Sequence, residues 1–356
     1  MAGSLDLDRL AASTIEDYVN NGALEDQVFT STPWLTYVQN KLIERKATGD
    51  TFKSNFSLGR NENFQSYGPY QTWTFTPDKG YARAEWKRRE HVITATISGQ
   101  EEEYNSGPGA MWDVVQNVVQ RTTMSLQEQL EKLMIQSVGG PKTAHGMELL
   151  IGDASSLYTT VGGLDCRDAP WWQSIVKRPG LSFPIIDWEN IDTAWTHTVT
   201  SDTTTNPFDA ADVTPWQVLT LDMLDEMVDL MSIQDDGTKR VLLTTKELKR
   251  AIIRLMKAEG VMTLKDTTGT LVGGFDNVVY QNMTVIDSIR VPKGTIYVVN
   301  EKDLTVRVHP NRWLKTRPWI SPYDQDAKYM AIFAWWQMYT NNRRGLAKFE
   351  KVSHRN

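Results

Sequence analysis

A single cysteine, Cys166, stands in 356 residues. One thiol excludes an internal disulfide framework and any zinc site built on cysteines. With Asp165, Arg167 and Asp168 around it and no histidine close in sequence, it is expected to be a buried, inert thiol. Histidine is scarce too: His91, His145, His197, His309 and His354 never pair at metal-ligand spacing. No apolar run approaches the roughly 18 residues that span a bilayer, and Met1–Leu10 lacks the pattern of a signal peptide. An intracellular, soluble chain with no membrane partner is therefore expected. Positive charge is in deficit, 38 Lys and Arg against 44 Asp and Glu for a net charge of -6, which argues against a protein built to grip DNA phosphates. The glycine-rich phosphate cradles and the G-x-S-x-G elbow are missing. Glu101-Glu102-Glu103 could be offered as metal ligands or acid/base groups, but at a strand-to-helix junction acids are favoured by the helix dipole alone. The residues do not argue for an enzyme, and no cofactor or metal is expected.

What the chain has is tryptophan, thirteen of them, some in pairs such as Trp171-Trp172 and Trp335-Trp336. Tryptophan is enriched in protein interfaces, though a Trp-rich core reads equally well. It also has one very long helical pattern. From Pro108 to Ser137, Trp112, Val115, Val119, Leu126, Leu130 and Leu133 recur in steps that keep them on one helical stripe. At about 1.5 Å per residue, such a helix runs to roughly 45 Å, longer than one small core requires. Pro108 suits its first turn and Gly139-Gly140-Pro141 stops it. Its charges nearly cancel: Asp113, Glu128 and Glu131 against Arg121 and Lys132.

Before the helix, residues 1–30 read as an arm and Pro33–Arg45 as a modest helix. Tyr70–Phe75 and Tyr81–Trp86 alternate around Thr76-Pro77-Asp78-Lys79-Gly80, the signal of a hairpin. Tyr70, Trp73, Lys79, Tyr81, Arg83, Lys87, Arg88 and Arg89 mark a ribbon so charged that it is expected to lean on another subunit. After the helix come a Gly-rich strand-and-turn region ending at Asp165, a polar loop over 196–206, and two helices, Thr214–Met231 and a second capped by Thr244 and Glu247. The first presents acids, including Asp225, and the second bases, including Arg250, a pair of candidate interface residues. Strands are expected at Asn277–Tyr280, Met283–Ile286, Thr295–Val299, Leu304–His309 and Lys328–Tyr339, with Asn341–Asn356 a basic terminal segment. Helices and strands interleave without a βαβ rhythm, so the fold class is α+β.

Four stretches together resemble the major capsid proteins of tailed bacteriophages, the Hong Kong-97-type capsid fold. They are Ala82–Lys87 returning through Ile97–Glu102 to Asn105-Ser-Gly107, the long helix, Tyr158–Asp165 with Pro170-Trp-Trp172, and Gln337–Gly345 with its N-x-R-R run. The resemblance implies an N-terminal arm (1–30), a P-domain segment (31–50), an extended E-loop hairpin (51–91) and a P domain with a spine helix (92–140). It further implies an A domain (141–303), P-domain return strands (304–340) and the basic end (341–356).

The function this implies is a major head protein that self-assembles, as hexamers and pentamers, into an icosahedral shell enclosing double-stranded DNA without reading its sequence. Its location would be the virion capsid, assembled in the cytoplasm of a host bacterium. Separate scaffolding, portal and decoration proteins are partners the resemblance allows. No scaffolding segment of about a hundred residues is seen at the N-terminus, so scaffolding would come from another protein, and no lysine–asparagine cross-link can be assigned. The rival readings are an encapsulin-like nanocompartment, a portal or tail-tube protein, and an enzyme with an acidic site.

Overall fold

A computed structural model describes residues 32–47, 49–57, 65–72, 81–104, 114–178, 216–232, 239–259 and 278–353. The expected arm over 1–30, the polar stretch 196–206, the turn 76–80 with Lys79, and the residues Trp73 and Trp112 lie outside the described residues. So do the side chains of Tyr81 and Val115.

The long helix is present as Val114–Gln136 and ends as its glycines dictate, with Gly139 at φ +75. Its buried face is Leu126, Leu130, Glu131, Met134 and Ile135, while Val119 and Leu133 are half-buried against the same core. Glu131, one of the charges that nearly cancel along this helix, thus belongs to the buried face.

Two sheets flank this helix. One has the order 43–45, 304–316, 327–340, 89–98, with Ile43–Arg45 parallel to its neighbour and the other pairs antiparallel. Its strand Leu304–Thr316 runs well past the expected end at His309, because a bulge between Val308 and Trp313 resets the alternation, while Ala327–Thr340 extends the expected Lys328–Tyr339 by one residue at each end. The expected helix Pro33–Arg45 is shorter, Pro33–Lys41, and the chain leaves it as the edge strand Ile43–Arg45.

The second sheet has the order 278–280, 283–287, 240–244, 296–300, 346–349, 175–177. Its central strands Arg240–Thr244, Ile296–Asn300 and Leu346–Phe349 are buried along their whole length, as strands covered on both faces are. Alternate residues divide between two cores: Val241, Leu243, Tyr297, Val299 and Leu346 join the spine side. Leu242, Ile296, Val298, Ala347 and Phe349 meet the helices Leu221–Ser232 and Lys246–Ala258. Within the basic terminal segment, Leu346–Phe349 is an inner strand of this sheet.

Both helices differ from expectation at their starts. The first begins at Leu221, not Thr214, because Gln217–Val218 pairs as a strand with Val352–Ser353. The cap of the second is Thr245, whose side chain accepts the Leu248 N–H at 3.4 Å, while Thr244 is a buried strand residue.

Candidate functional site

The charged ribbon is real but differently paired. Tyr81–Lys87 runs antiparallel to Thr51–Ser57, with Thr51 opposite Lys87 and Ser57 opposite Tyr81. Residues 65–72, which include Tyr70, form no strand. Local turn chemistry at 76–80 suggested a short hairpin; the actual pairing spans a far longer connection.

Alternation splits this stem into two faces. Outside, Lys53 meets Glu85 at 2.6 Å, Lys87 meets Asp50 at 3.3 Å, and Arg83 donates to Asn55 at 3.1 Å. Inside, Phe52, Ala84 and Trp86 are buried, and Phe56 packs on the Trp172 ring at 4.7 Å. The stem is thus anchored on its own chain. Arg88, expected to reach another subunit, is also buried, with its guanidinium 5.6 Å from the Trp335 ring centroid, and Arg89 is half-buried. Tyr67 and Tyr70 further along the connection are exposed.

The surface under the stem is the tight turn between Thr160–Val161 and Leu164–Asp165. Gly162 and Gly163 both have positive φ, +63 and +83, the conformation that a two-residue hairpin turn of this twist requires. A Cβ on Gly162 would lie 2.8 Å from the Ala84 Cβ, and the Gly162 carbonyl accepts the Glu85 N–H at 2.9 Å. His145 stacks edge-on to Trp86 at 5.8 Å; burial, and then the charge of Arg89, push its imidazole down to about 4.

Behind the turn lies a joint that sequence reasoning quoted as a motif without giving it a task. Arg343, from the N-x-R-R run, is fully buried. Its Nε donates to the Leu150 carbonyl at 2.9 Å, one terminal nitrogen to the Trp172 carbonyl at 2.7 Å and to Cys166 Sγ, and the other to the Gly152 carbonyl at 2.8 Å. The Trp172 indole in turn donates to the Val161 carbonyl at 3.0 Å. The GG turn, the Pro-Trp-Trp segment and the N-x-R-R run thus form one contiguous unit. Burial pushes the Cys166 thiol up in spite of Arg343, and the thiol donates to the Thr159 carbonyl at 2.9 Å.

A chain of charges ties this unit to the six-stranded sheet. Asp153 accepts from Arg178 at 2.7 Å, Arg178 donates to Glu350 at 2.9 Å, and Lys348 bridges Glu350 and Glu148 at 2.8 and 2.7 Å. Burial works against the Glu350 carboxylate, but Lys348 and Arg178 outweigh it and hold the group below its ordinary value.

Glu131 does comparable work across the spine. Pro33 opens its helix without a side-chain cap, and Glu131 Oε2 accepts the orphan Leu35 N–H at 3.1 Å while Oε1 accepts from Ser288 at 2.5 Å. Burial pushes this carboxyl up against the opposing pull of Ser288, Leu35, Arg290 and Trp34.

Asp225 and Arg250 are not brought together. Asp225 accepts from Tyr280 and, at 2.8 Å, from Gln281, whereas Arg250 is exposed. Among the described residues no cluster of three or more His, Cys, Asp or Glu could hold a metal, and no helix is long and apolar enough to cross a membrane. Glu101 and Glu103 are exposed, and Glu101 accepts the Ser98 N–H at 3.2 Å.

No protein-family model and no curated protein matches the chain. Solved structures do. A subunit of the cyanophage A-1(L) capsid superimposes with a TM-score of 0.66 over 96% of this chain and 99% of its own, at 12% identity. This chain has the Hong Kong-97-type capsid fold. The SrpI encapsulin of Synechococcus elongatus follows at a TM-score of 0.55, covering 98% and 96% at 12% identity. The capsid of a native GTA particle gives 0.54, covering 96% and 99% at 12% identity. These neighbours are shell proteins rather than enzymes, and the resemblance drawn from four stretches of sequence holds at the level of the fold.

Proposed function

We propose that this chain is the major head protein of a tailed bacteriophage, self-assembling into a closed icosahedral shell around double-stranded DNA. The observation that carries the reading is the end-to-end match to a cyanophage capsid subunit, which leaves almost none of either chain unaccounted for. The ribbon supports it. Its stem is fixed to its own chain, while Tyr67 and Tyr70 are held out where a neighbouring subunit could cover them. Assembly into pentamers and hexamers in a bacterial cytoplasm, with scaffolding, portal and decoration supplied by other proteins, completes the reading.

The encapsulin match favours a second reading, a nanocompartment loaded with protein cargo. Expression of the full chain followed by negative-stain microscopy and nuclease protection separates them. Closed shells that protect DNA when co-expressed with a packaging system support the capsid. Shells that retain protein and exclude DNA support the nanocompartment, and tubes, open rings or monomers overturn both. A second experiment replaces residues 60–78 with a short turn, which spares the buried Ala84 and Trp86. The variant is expected to fold and to fail at shell formation; normal shells from it would remove the ribbon from the interface.

A further inference from the structure

The helices Leu221–Ser232 and Lys246–Ala258 bury Leu224, Met227, Leu248 and Ile252 in one cluster and turn charged faces outward. On the first, Asp222, Glu226 and Asp229 are exposed; on the second, Arg250, Arg254 and Lys257 are exposed. Both sets fall at the helical spacing i, i+4, i+7, so each is a straight stripe and the two have the same pitch. Lys257 has a partner within its own chain, and so do other charges of these helices. Asp225 is held by Tyr280 and Gln281, and Lys249 by Asp287 at 2.6 Å. Among the described residues, neither Glu226 nor Arg254 makes an ion pair.

We propose that the acidic stripe of one copy docks on the basic stripe of a second copy of this chain. The inference rests on the shell reading above and names a contact surface for it. With the two stripes facing one another, Glu226 meets Arg254 at the centre in either helix direction. A nucleic acid fits less well, because the neighbouring acidic helix repels phosphate. Contacts of this kind fix register and orientation more than they supply affinity.

The test uses the full chain carrying Glu226→Lys, Arg254→Glu, or both. Both sites of change are on exposed positions, so melting temperatures should stay at the wild-type value. Sedimentation velocity at low and raised salt, with negative-stain images, reads association. Each single reversal replaces an attraction by a repulsion in every contact and is expected to weaken association by about tenfold or more at low salt. The double variant, and an equimolar mixture of the two single variants, should recover it. Single variants that associate like wild type, or a defect that neither the double variant nor the mixture repairs, overturn the proposal. So does an Arg254→Glu chain whose only loss is binding of a duplex DNA probe. Wild-type shells unaffected by any variant would sink this contact and leave the shell reading standing; wild-type oligomers that never close, yet respond to the reversals as described, would do the opposite.

Discussion

The joint around Arg343 and the stem of the ribbon treat positive charge in opposite ways. At the joint one guanidinium is buried and surrounded by the Leu150, Gly152 and Trp172 carbonyls, with no carboxylate among the described residues bonded to it. On the stem Arg83, Lys53 and Lys87 stand exposed, each with one weakly held polar partner. A buried donor set satisfied by backbone is costly to break, because each carbonyl left behind has already lost its water. An exposed pair exchanges protein for solvent at almost no net cost. The difference separates residues that hold this chain's own fold from residues left available to another chain. Position in the alternating pattern decides which is which: Arg88, one residue past Lys87, turns inward and is buried.

The largest break in this contrast should come from Arg343→Leu. It leaves the carbonyls of Leu150, Gly152 and Trp172 without their donors, a loss of about 4 kcal/mol or more. Urea unfolding of the unassembled chain measures it. A shift of the midpoint no larger than that of an ordinary surface substitution would remove Arg343 from the centre of the joint.

Next comes Gly162→Ala. The substitution places a Cβ at 2.8 Å from the Ala84 Cβ on a backbone with φ +63. The unfavourable left-handed conformation and the overpacking together should cost about 2–3 kcal/mol. The loss should be cooperative with Ala84→Gly, which opens room for the new methyl group; strictly additive effects would mean that the two residues do not meet.

Much of the framework was legible in the sequence, and the failures have a common cause. The long helix, over its described length Val114–Gln136, and its stop at the glycines rest on local periodicity and glycine chemistry. The order of motifs led to the fold because the GG turn, Trp172 and Arg343 form one physical unit, although a string of letters shows only that they co-occur. The ribbon's pairing was missed because turn residues at 76–80 argue for the nearest partner strand, whereas Thr51–Ser57 wins by burying Phe52 under Tyr339. The burial of Glu131 is not legible from its place in the helical pattern. Its partners, Leu35 and Ser288, come from remote parts of the chain. Long-range pairing and burial of charge are set by tertiary packing, which no window of sequence displays.

A third prediction concerns pH. His145 lies against Trp86 under the stem, and its folded value is pushed down to about 4 from an ordinary 6.5. Between those values the unfolded chain binds the proton more readily, so stability rises with pH there. The contribution is fully present above 6.5 and is lost as pH falls toward 4. The loss amounts to about 3 kcal/mol by the acid end of that range. Glu131 acts in the reverse sense, because a raised carboxyl favours the folded state as it takes up its proton. Melting curves of His145→Gln and Glu131→Gln across this range should therefore diverge in opposite directions from wild type. Parallel curves would place both groups in contact with water.

The smallest expected effect on the fold, and the sharpest test of the contrast, is Arg83→Ala combined with Lys87→Ala. Both side chains are exposed, and their partners Asn55 and Asp50 remain hydrated when released. The melting temperature of the unassembled chain should not move measurably. Assembly is another matter, since a shell repeats each contact in every subunit and small terms accumulate over the lattice. Light scattering across a salt series should show slower shell growth for the double variant at low salt, converging on wild type as salt screens the charges. Replacing Arg88 instead should lower the melting temperature, because that guanidinium is packed under Trp335. Slower assembly from Arg83 and Lys87 with an unchanged fold, beside a weakened fold from Arg88, would assign adjacent positions of one strand to different tasks. Equal melting temperatures for all three substitutions would erase the distinction between the anchored stem and its presented face.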